Sequence, residues 1–460
     1  MAQYHFIGIG GIGMGKLASL LLSRGDQVTG SDLVESAMVQ SLRNQGATVF
    51  IGHQADHLEG PDFVVYSSAV RPENPELMAA KQKGIPILKR AQLLAELMRP
   101  HHTVTVAGAH GKTTTTSMIA QLLIQAGFDP TVALGGVFQS SGTYQEISGA
   151  GHYFVAELDE SDGSFLYFSP EISVVTNIDF EHVDYYQNWG NIIKAYRQFI
   201  GQTSVDGVVI GCGDDPRIRE ILKDRRGRSV LYGIGEQNDL AVRDMVFTGF
   251  GSHFLCVKGK EILGKVVLAV PGQHNICNSL ATIAVGLELG ISFSVICDTI
   301  AAYHGVKRRF ELKGTWGETR VIDDYAHHPT EIRAVLQTAQ RFYPKRLVAV
   351  FQPHRYSRLK FLKEEFVKSF SGVDQLIVTD VYAASESKID EVADVDRLCG
   401  TIKLNSGCEA IYVPKSMLCD TVVGLIQEGD MIITLGAGDI TKVSEGIAAA
   451  LNERFSVNHG

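Results

Sequence analysis

The chain has 460 residues, 45% of them hydrophobic and 20% charged, with a formal net charge of −9. That length supports two or three domains with cores of their own, and the composition excludes a disordered chain. The acidic balance excludes a surface built to hold nucleic acid or anionic lipid, so an anionic substrate has to be gripped by a local basic site.

Between residues 4 and 98, short apolar runs (4–9, 27–30, 63–67 and 85–88) alternate with amphipathic stretches such as 16–23, which predicts a parallel βαβ unit. Pro100, His101 and His102 interrupt the pattern, and a strand over 103–107 with a helix over 112–126 restarts it. Residues 239–270 read as alternating, glycine-punctuated strand and 274–289 and 292–303 as helices, giving a mixed sheet with helical cover. The stretch 313–317 has turn character, after which βα alternation resumes (321–323, 347–351, 376–379, 410–413 and 431–435). The expected class is α/β with three domains: a Rossmann-like unit over 1–99, a P-loop ATPase-type mixed sheet over 100–311 and a second Rossmann-like unit over 312–460. Seven cysteines, odd in number and without a C-x-x-C pair, read as reduced thiols. No apolar run reaches the roughly 18 residues of a membrane span, and the chain opens on a strand pattern rather than a secretion signal, so a cytoplasmic location is expected.

Gly8, Gly10 and Gly13 form G-x-G-x-x-G between a strand and a helix, with Asp32 ending the next strand. That arrangement seats a diphosphate on a helix N-terminus but leaves the nucleotide open. A dehydrogenase is the first reading, yet it gives no role to the second turn, Gly108-Ala109-His110-Gly111-Lys112-Thr113, which also joins a strand to a helix. There backbone amides and Lys112 would surround the β- and γ-phosphates of ATP and Thr113 would ligate magnesium, although Val106 stands where the general P-loop pattern has its first glycine. Thr114, Thr115 and Thr116 read first as helix packing. Two such turns imply ATP plus a nucleotide-tagged substrate. Phosphoryl transfer needs hard oxygen ligands for magnesium opposite the loop, which Glu157 at a strand end can supply. Asp159, Glu160 and Asp162 follow it, and His182 closes a polar loop after another apolar strand, a position suited to a second metal.

The segments 108–116, Glu-Leu-Asp-Glu-Ser-Asp at 157–162, 176–182, Pro-Gly-Gln-His-Asn at 271–275 with Asn278, Arg-Arg-Phe at 308–310, Asp-Asp-Tyr-Ala-His-His-Pro at 323–329 and Phe-Gln-Pro-His-Arg-Tyr-Ser-Arg at 351–358 together resemble the Mur ligase family, over essentially the whole chain. Ala326, where the family commonly has glycine, and Gly15-Lys16 are small departures away from reacting groups. Within the family the likeness is to members that attach L-alanine to UDP-N-acetylmuramate. It implies that Gly10, Gly11, Ile12 and Gly13 hold the UDP diphosphate, with Asp32, Ser67 and Ser68 as further contacts. It implies ATP on Gly108, Ala109, His110, Gly111, Lys112, Thr113 and Thr114, with Asn275 and Asn278, one helical turn apart, reading the adenine. Thr113, Glu157 and His182 would hold two Mg2+ ions. Arg309 and Asp324 would flank a hinge at about 309–317 and reach ATP as the third domain closes. Tyr325, His327, His354, Arg355 and Arg358 would line the amino-acid side, the arginine forks matching a carboxylate, while at least one of His327 and His328 caps the helix at Pro329. The implied reaction passes through an acyl phosphate, with Lys112, His182, Arg309 and Asp324 in the machinery and His327 or Asp324 as the amine's base. A ligase recycling a preformed tripeptide is the alternative, and a nucleotide-gated binding module a different class. The assembly expected is a monomer or weak homo-oligomer.

Overall fold

In the computed structural model, residues 1–67, 69–134, 149–384, 386–390 and 394–457 are described. The strands with an apolar residue at almost every position become the buried centres of sheets covered on both faces by helices. Strands β1 (Gln3–Ile7), β2 (Gln27–Asp32), β3 (Thr48–Ile51), β4 (Phe63–Tyr66) and β5 (Ile87–Lys89) pair in the order β3-β2-β1-β4-β5, every neighbour parallel. The order reverses between β1 and β4, and the crevice at their carboxyl ends is where such sheets take ligands. The glycine turn leaves β1 there and enters helix α1 (Ile12–Ser23).

The second sheet has nine strands: β6 (His102–Ala107), β7 (Thr131–Ala133), β8 (Tyr153–Glu157), β9 (Ile172–Val175), β10 (Val208–Cys212), β11 (Arg228–Tyr232), β12 (Leu240–Thr248), β13 (Gly251–Lys258) and β14 (Glu261–Leu268). Their order is β14-β13-β12-β11-β10-β9-β6-β8-β7, antiparallel only within β12-β13-β14. Strand β6 therefore lies between β9 and β8, and the loops after these three strands open side by side. Helices α2 (Lys112–Gln125) and α3 (Gln273–Glu288) pack against each other over this sheet.

The third sheet joins β15 (Glu311–Trp316), β16 (Thr319–Asp324), β17 (Arg346–Phe351), β18 (Gln375–Val378), β19 (Glu409–Tyr412) and β20 (Asp430–Leu435) in the order β15-β16-β20-β17-β18-β19. Only β15 runs antiparallel to its neighbour. Helices α4 (Pro329–Gln340) and α5 (Thr441–Val457) follow β16 and β20. The α/β class with three sheets is as the sequence predicts.

One expectation holds only at its last residue. Residues 313–316 lie in β15, whose register shifts between Leu312 and Gly314, and only Gly317 (φ +59°) belongs to the turn into β16. Trp316 covers Gly314 so closely that a Cβ would stand 2.4 Å from its ring, and the glycine that imitates a turn in the sequence is a bulge residue. The third sheet thus begins at Glu311, one residue before the expected boundary, and the connection into it is the stretch 306–310. One continuous apolar core runs from the first sheet into the second, joining Phe6 and Leu94 to Val104 and Ile283, whereas the third sheet has separate cores on its two faces, around Phe351 and around Val350. Among the described residues no helix is long and apolar enough to cross a membrane.

Candidate active site

The carboxyl ends of all three sheets meet at a cleft of ≈ 860 Å3, whose wall includes Gly13, Lys16 and Arg90 from the first, Lys112, Thr113, Glu157 and His182 from the second, and Arg309, Tyr325, His327, Arg358 and Thr441 from the third.

At the first sheet, Gly8 takes φ +81°, and its amide and that of Ile9 both donate to the carbonyl of Ser31. Gly10 N–H donates to Asp32 Oδ2 at 2.8 Å, and a Cβ on Gly10 would stand 2.8 Å from the same oxygen. Asp32 also accepts from Val34 N at 3.2 Å, so its carboxylate braces the turn. Gly11 caps α1 without any side chain, and Ile12 is 62% exposed, which leaves the first amides of that helix open to the cleft. Ser67 lies beside Gly8 and accepts from Ala69 N; Ser68 is outside the described residues.

At the second sheet, Gly108 (φ +138°) and Gly111 (φ +79°) bend the phosphate loop in conformations that other residues rarely take, and a Cβ on Gly108 would stand 2.1 Å from Thr176 Oγ1. Thr176 Oγ1 and Asn177 Nδ2 donate to the carbonyl of His110, whose own N–H donates to Asn177 Oδ1. Lys112 Nζ donates to Glu160 Oε1 at 2.9 Å and to the Ala109 carbonyl at 3.3 Å. Burial opposes its charge, but the Glu160 and Asp159 carboxylates outweigh that and hold it above the usual lysine range. Thr113 Oγ1 donates to Glu157 Oε1 at 2.8 Å, which places two hard oxygens together as magnesium requires. His182, at φ +54°, stands with Glu160 and Glu181 in a group whose donor atoms lie within 4.8 Å of one another, a second set of metal-ligand chemistry. Its pKa is raised, burial being outweighed by Glu160 and Glu181. Thr114 is buried within α2. Asn278 Nδ2 donates to Asn275 Oδ1 at 3.1 Å, Thr115 Oγ1 donates to Asn278 Oδ1, and that oxygen is 2.7 Å from where a Gly111 Cβ would be. The two amides do share a face, against the phosphate loop.

At the third sheet, Arg308 and Arg309 lie over Tyr325, each 5.0 Å from the ring centre. His327 and His354 pack edge to face at 5.6 Å, and His354 stacks on Tyr382. Burial, then the charges of His327 and Arg358, pushes His354 down to about 3, leaving its ring neutral to accept from Arg358 Nη1 at 3.0 Å. Arg358 Nη2 donates to Glu181 Oε1 at 2.8 Å, and Arg355 reaches to 4.0 Å from Asp184. His328 is the N-cap of α4, its Nδ1 accepting from Thr330 N. Asp324 is the one proposed machinery residue that the cleft wall leaves out: it is 4% exposed, and its two oxygens accept from Phe310 N and Ala326 N at 2.7 Å each. Burial, against the pull of Arg309 and these two amides, lifts its pKa to about 7.

Three family models match in series: the Mur ligase family catalytic domain over residues 3–102, the Mur ligase middle domain over 106–286 and the Mur ligase glutamate ligase domain over 308–438. A UDP-N-acetylmuramate–L-alanine ligase of Desulfatibacillum aliphaticivorans is 46% identical over 97% of this chain and 98% of its own. One from Geotalea uraniireducens is 44% identical over 98% of each. The chain belongs to the Mur ligase family. The crystal structure of the Thermotoga maritima UDP-N-acetylmuramate–alanine ligase superposes with a TM-score of 0.82 at 30% identity, covering 99% of this chain and 100% of that one. A murein peptide ligase of Psychrobacter arcticus shares the fold, with a TM-score of 0.71 at 24% identity.

In this Mur ligase several residues that sequence reasoning left without a role sit in the cleft wall or directly behind it. Glu160 is 3% exposed and pairs with Lys112 from behind the wall. Glu181 ties Arg358 and His327 to the second sheet. Glu331, in the capping box of α4, faces His110, Arg309 and His327. Its signal was present as a glutamate three residues after the cap in His328-Pro-Thr-Glu.

Proposed function

We propose that the chain is an ATP-dependent ligase that joins L-alanine to the lactyl carboxylate of UDP-N-acetylmuramate through an acyl phosphate, releasing ADP and phosphate, as a step of peptidoglycan synthesis in the cytoplasm. The observation that carries this reading is a single cleft bounded by a diphosphate turn, a phosphate loop, and Arg309 and Arg358 of the third domain. In it, residues 1–99 hold the UDP portion, 100–311 hold ATP, and 312–460 bring the amino acid and close the site.

The lactyl carboxylate attacks the γ-phosphorus of ATP, and ADP leaves. Lys112 follows the charge that moves onto the transferring group, exchanging Glu160 for phosphate oxygens. The Thr113 and Glu157 oxygens, with His182, Glu160 and Glu181 as the second donor set, fit Mg2+, which when bound would neutralise phosphate charge and orient the carboxylate. The forks of Arg355 and Arg358 take the carboxylate of L-alanine. His327, which lines the cleft with its Nδ1 3.0 Å from the Tyr325 carbonyl, serves as base in preference to Asp324, which the cleft wall leaves out and whose oxygens both accept backbone amides. The amine then attacks the acyl carbon and phosphate leaves. Asp324, bonded to Phe310 and Ala326, sets the shape of the connection between the second and third sheets.

The test is phosphate release from ATP and magnesium with UDP-N-acetylmuramate, with and without L-alanine. Release that needs both, with an alanyl product by mass, is expected. Turnover only with a tripeptide would replace this reading by the recycling one, and no carboxylate-dependent turnover would overturn it.

A further inference from the structure

His110 sits inside the phosphate loop, yet its ring faces the third sheet's first helix. Its Nε2 lies 2.9 Å from Asp179 Oδ2 and its Nδ1 3.4 Å from Glu331 Oε1. Asp179 belongs to the second sheet's loop 176–182, and the same Oδ2 accepts from Thr330 Oγ1 at 2.7 Å. Thr330 and Glu331 are the second and third residues of α4. His328, which caps α4, packs its ring 4.9 Å from that of His110. Each ring nitrogen of His110 thus meets a carboxylate, one from each side of the domain junction, in a place where the side chain is 13% exposed. Burial opposes charge on the ring, but Asp179 and Glu331 outweigh it and push the pKa up to about 10, so both nitrogens carry protons at neutral pH. The backbone of the same residue is fixed on both sides by Thr176 and Asn177, so a displacement of the ring is passed to the loop amides beside Gly111 and Lys112.

We propose that the His110 side chain is a latch through which the phosphate loop registers closure of the third domain: docking of Thr330 and Glu331 on the His110–Asp179 pair locks the loop in the form that transfers phosphate. His110 is on this account a positioning residue acting through its backbone, and Thr330 and Glu331 act on a phosphate loop they do not belong to. The proposal rests on the ligase reading above and adds the contact that commits ATP to reaction only in the closed enzyme. Withdrawal of α4 removes Glu331 and Thr330 together, leaving His110 with Asp179 alone.

The experiment is a rapid-mixing measurement of the first turnover of ADP formation from ATP, magnesium and UDP-N-acetylmuramate without L-alanine, on the full-length enzyme. Variants are His110→Gln, Glu331→Gln, their double, Thr330→Val and Thr330→Ser. The expected result is that His110→Gln, Glu331→Gln and Thr330→Val each slow the burst about five- to twentyfold while the KM for ATP moves less than about twofold. Thr330→Ser, which keeps the hydroxyl, restores most of the wild-type rate. The double variant is then no slower than the slower single one, because both changes open the same latch. Burst rates that multiply in the double variant, or that Thr330→Val leaves unchanged, would overturn the proposal. Glu331 also caps α4 through His327 N and His328 N, so if Glu331→Gln lowers the melting temperature, the Thr330→Val, His110→Gln pair decides by the same criterion. A wild-type enzyme without any ADP burst dependent on the sugar nucleotide would instead remove the ligase reading itself.

Discussion

Lys112 keeps its charge in a pocket where the Glu160 and Asp159 carboxylates outweigh its burial. On the proposed mechanism it meets charge that develops as the phosphoryl group moves, so Lys112→Met should lower kcat by about a hundred- to a thousandfold in the phosphate-release assay, with a smaller change in KM for ATP. Arg358 works by shape as much as by charge, holding Glu181 on one nitrogen and His354 on the other. Lysine cannot reproduce that fork, and Arg358→Lys should raise the KM for L-alanine about ten- to a hundredfold while leaving ATP and UDP-substrate binding near wild type. Far from the cleft, Glu76 is fully buried beneath β2, receiving Ser31 Oγ and meeting His57, His53 and His5. Burial opposes its ionisation, but bonds from His5, Ser31 and His57 outweigh this and pull the pKa down to about 2. A carboxylate depressed in the folded state contributes stability at neutral pH that is lost as pH falls from about 4.5 toward 2. Over that window the term is worth about 3 kcal/mol, so Glu76→Gln should flatten the acid limb of the denaturation midpoint measured from pH 6 to 3.

Elements were legible where the apolar period was strong and the turn chemistry ordinary. The strands around both glycine turns and the helices after them fall where the sequence puts them, because each is bounded by glycines that its geometry needs, as at Gly8 and Gly108. Strand β3, only four residues long, has no such frame and went unread. Strand β15 was misread because a bulge glycine and a turn glycine look alike until Trp316 is seen lying over it. In the site, residues anchored in glycine-rich or histidine-rich motifs could be singled out, while the acids that pair with them at long range, Glu160 within the second domain and Glu181 and Glu331 across the junction, could not, since pairing between 112 and 160 or 110 and 331 has no local pattern. The connection 306–310 holds Arg308 at φ +61° and Phe310 at φ +50°, a strained pair kept in place by Asp324 and by Phe250 and Phe342. Tyr343, after α4, has φ +47° and is 91% exposed with little packing to lose, so Tyr343→Gly should stabilise the third domain by about 0.5–1 kcal/mol in urea titrations.

The division of cores predicts how the molecule comes apart. Sheets one and two share a continuous apolar interior, whereas the third has cores of its own and meets the others through polar contacts such as Arg358–Glu181 and Thr330–Asp179 and a small aromatic contact at Phe180 and Phe250. Calorimetry should therefore show two transitions, one for the first two sheets together and one for the third, and ATP with UDP-N-acetylmuramate should draw them closer by binding across the junction. A single transition without ligands would contradict this. The cleft wall runs in sequence from Ile12 to Glu445. On a ribosome the first two sheets can fold while the remainder is still being made, so a chain truncated anywhere between residue 311 and α5 should grip nucleotide yet be unable to spend it, and competence appears only in the last moments of synthesis.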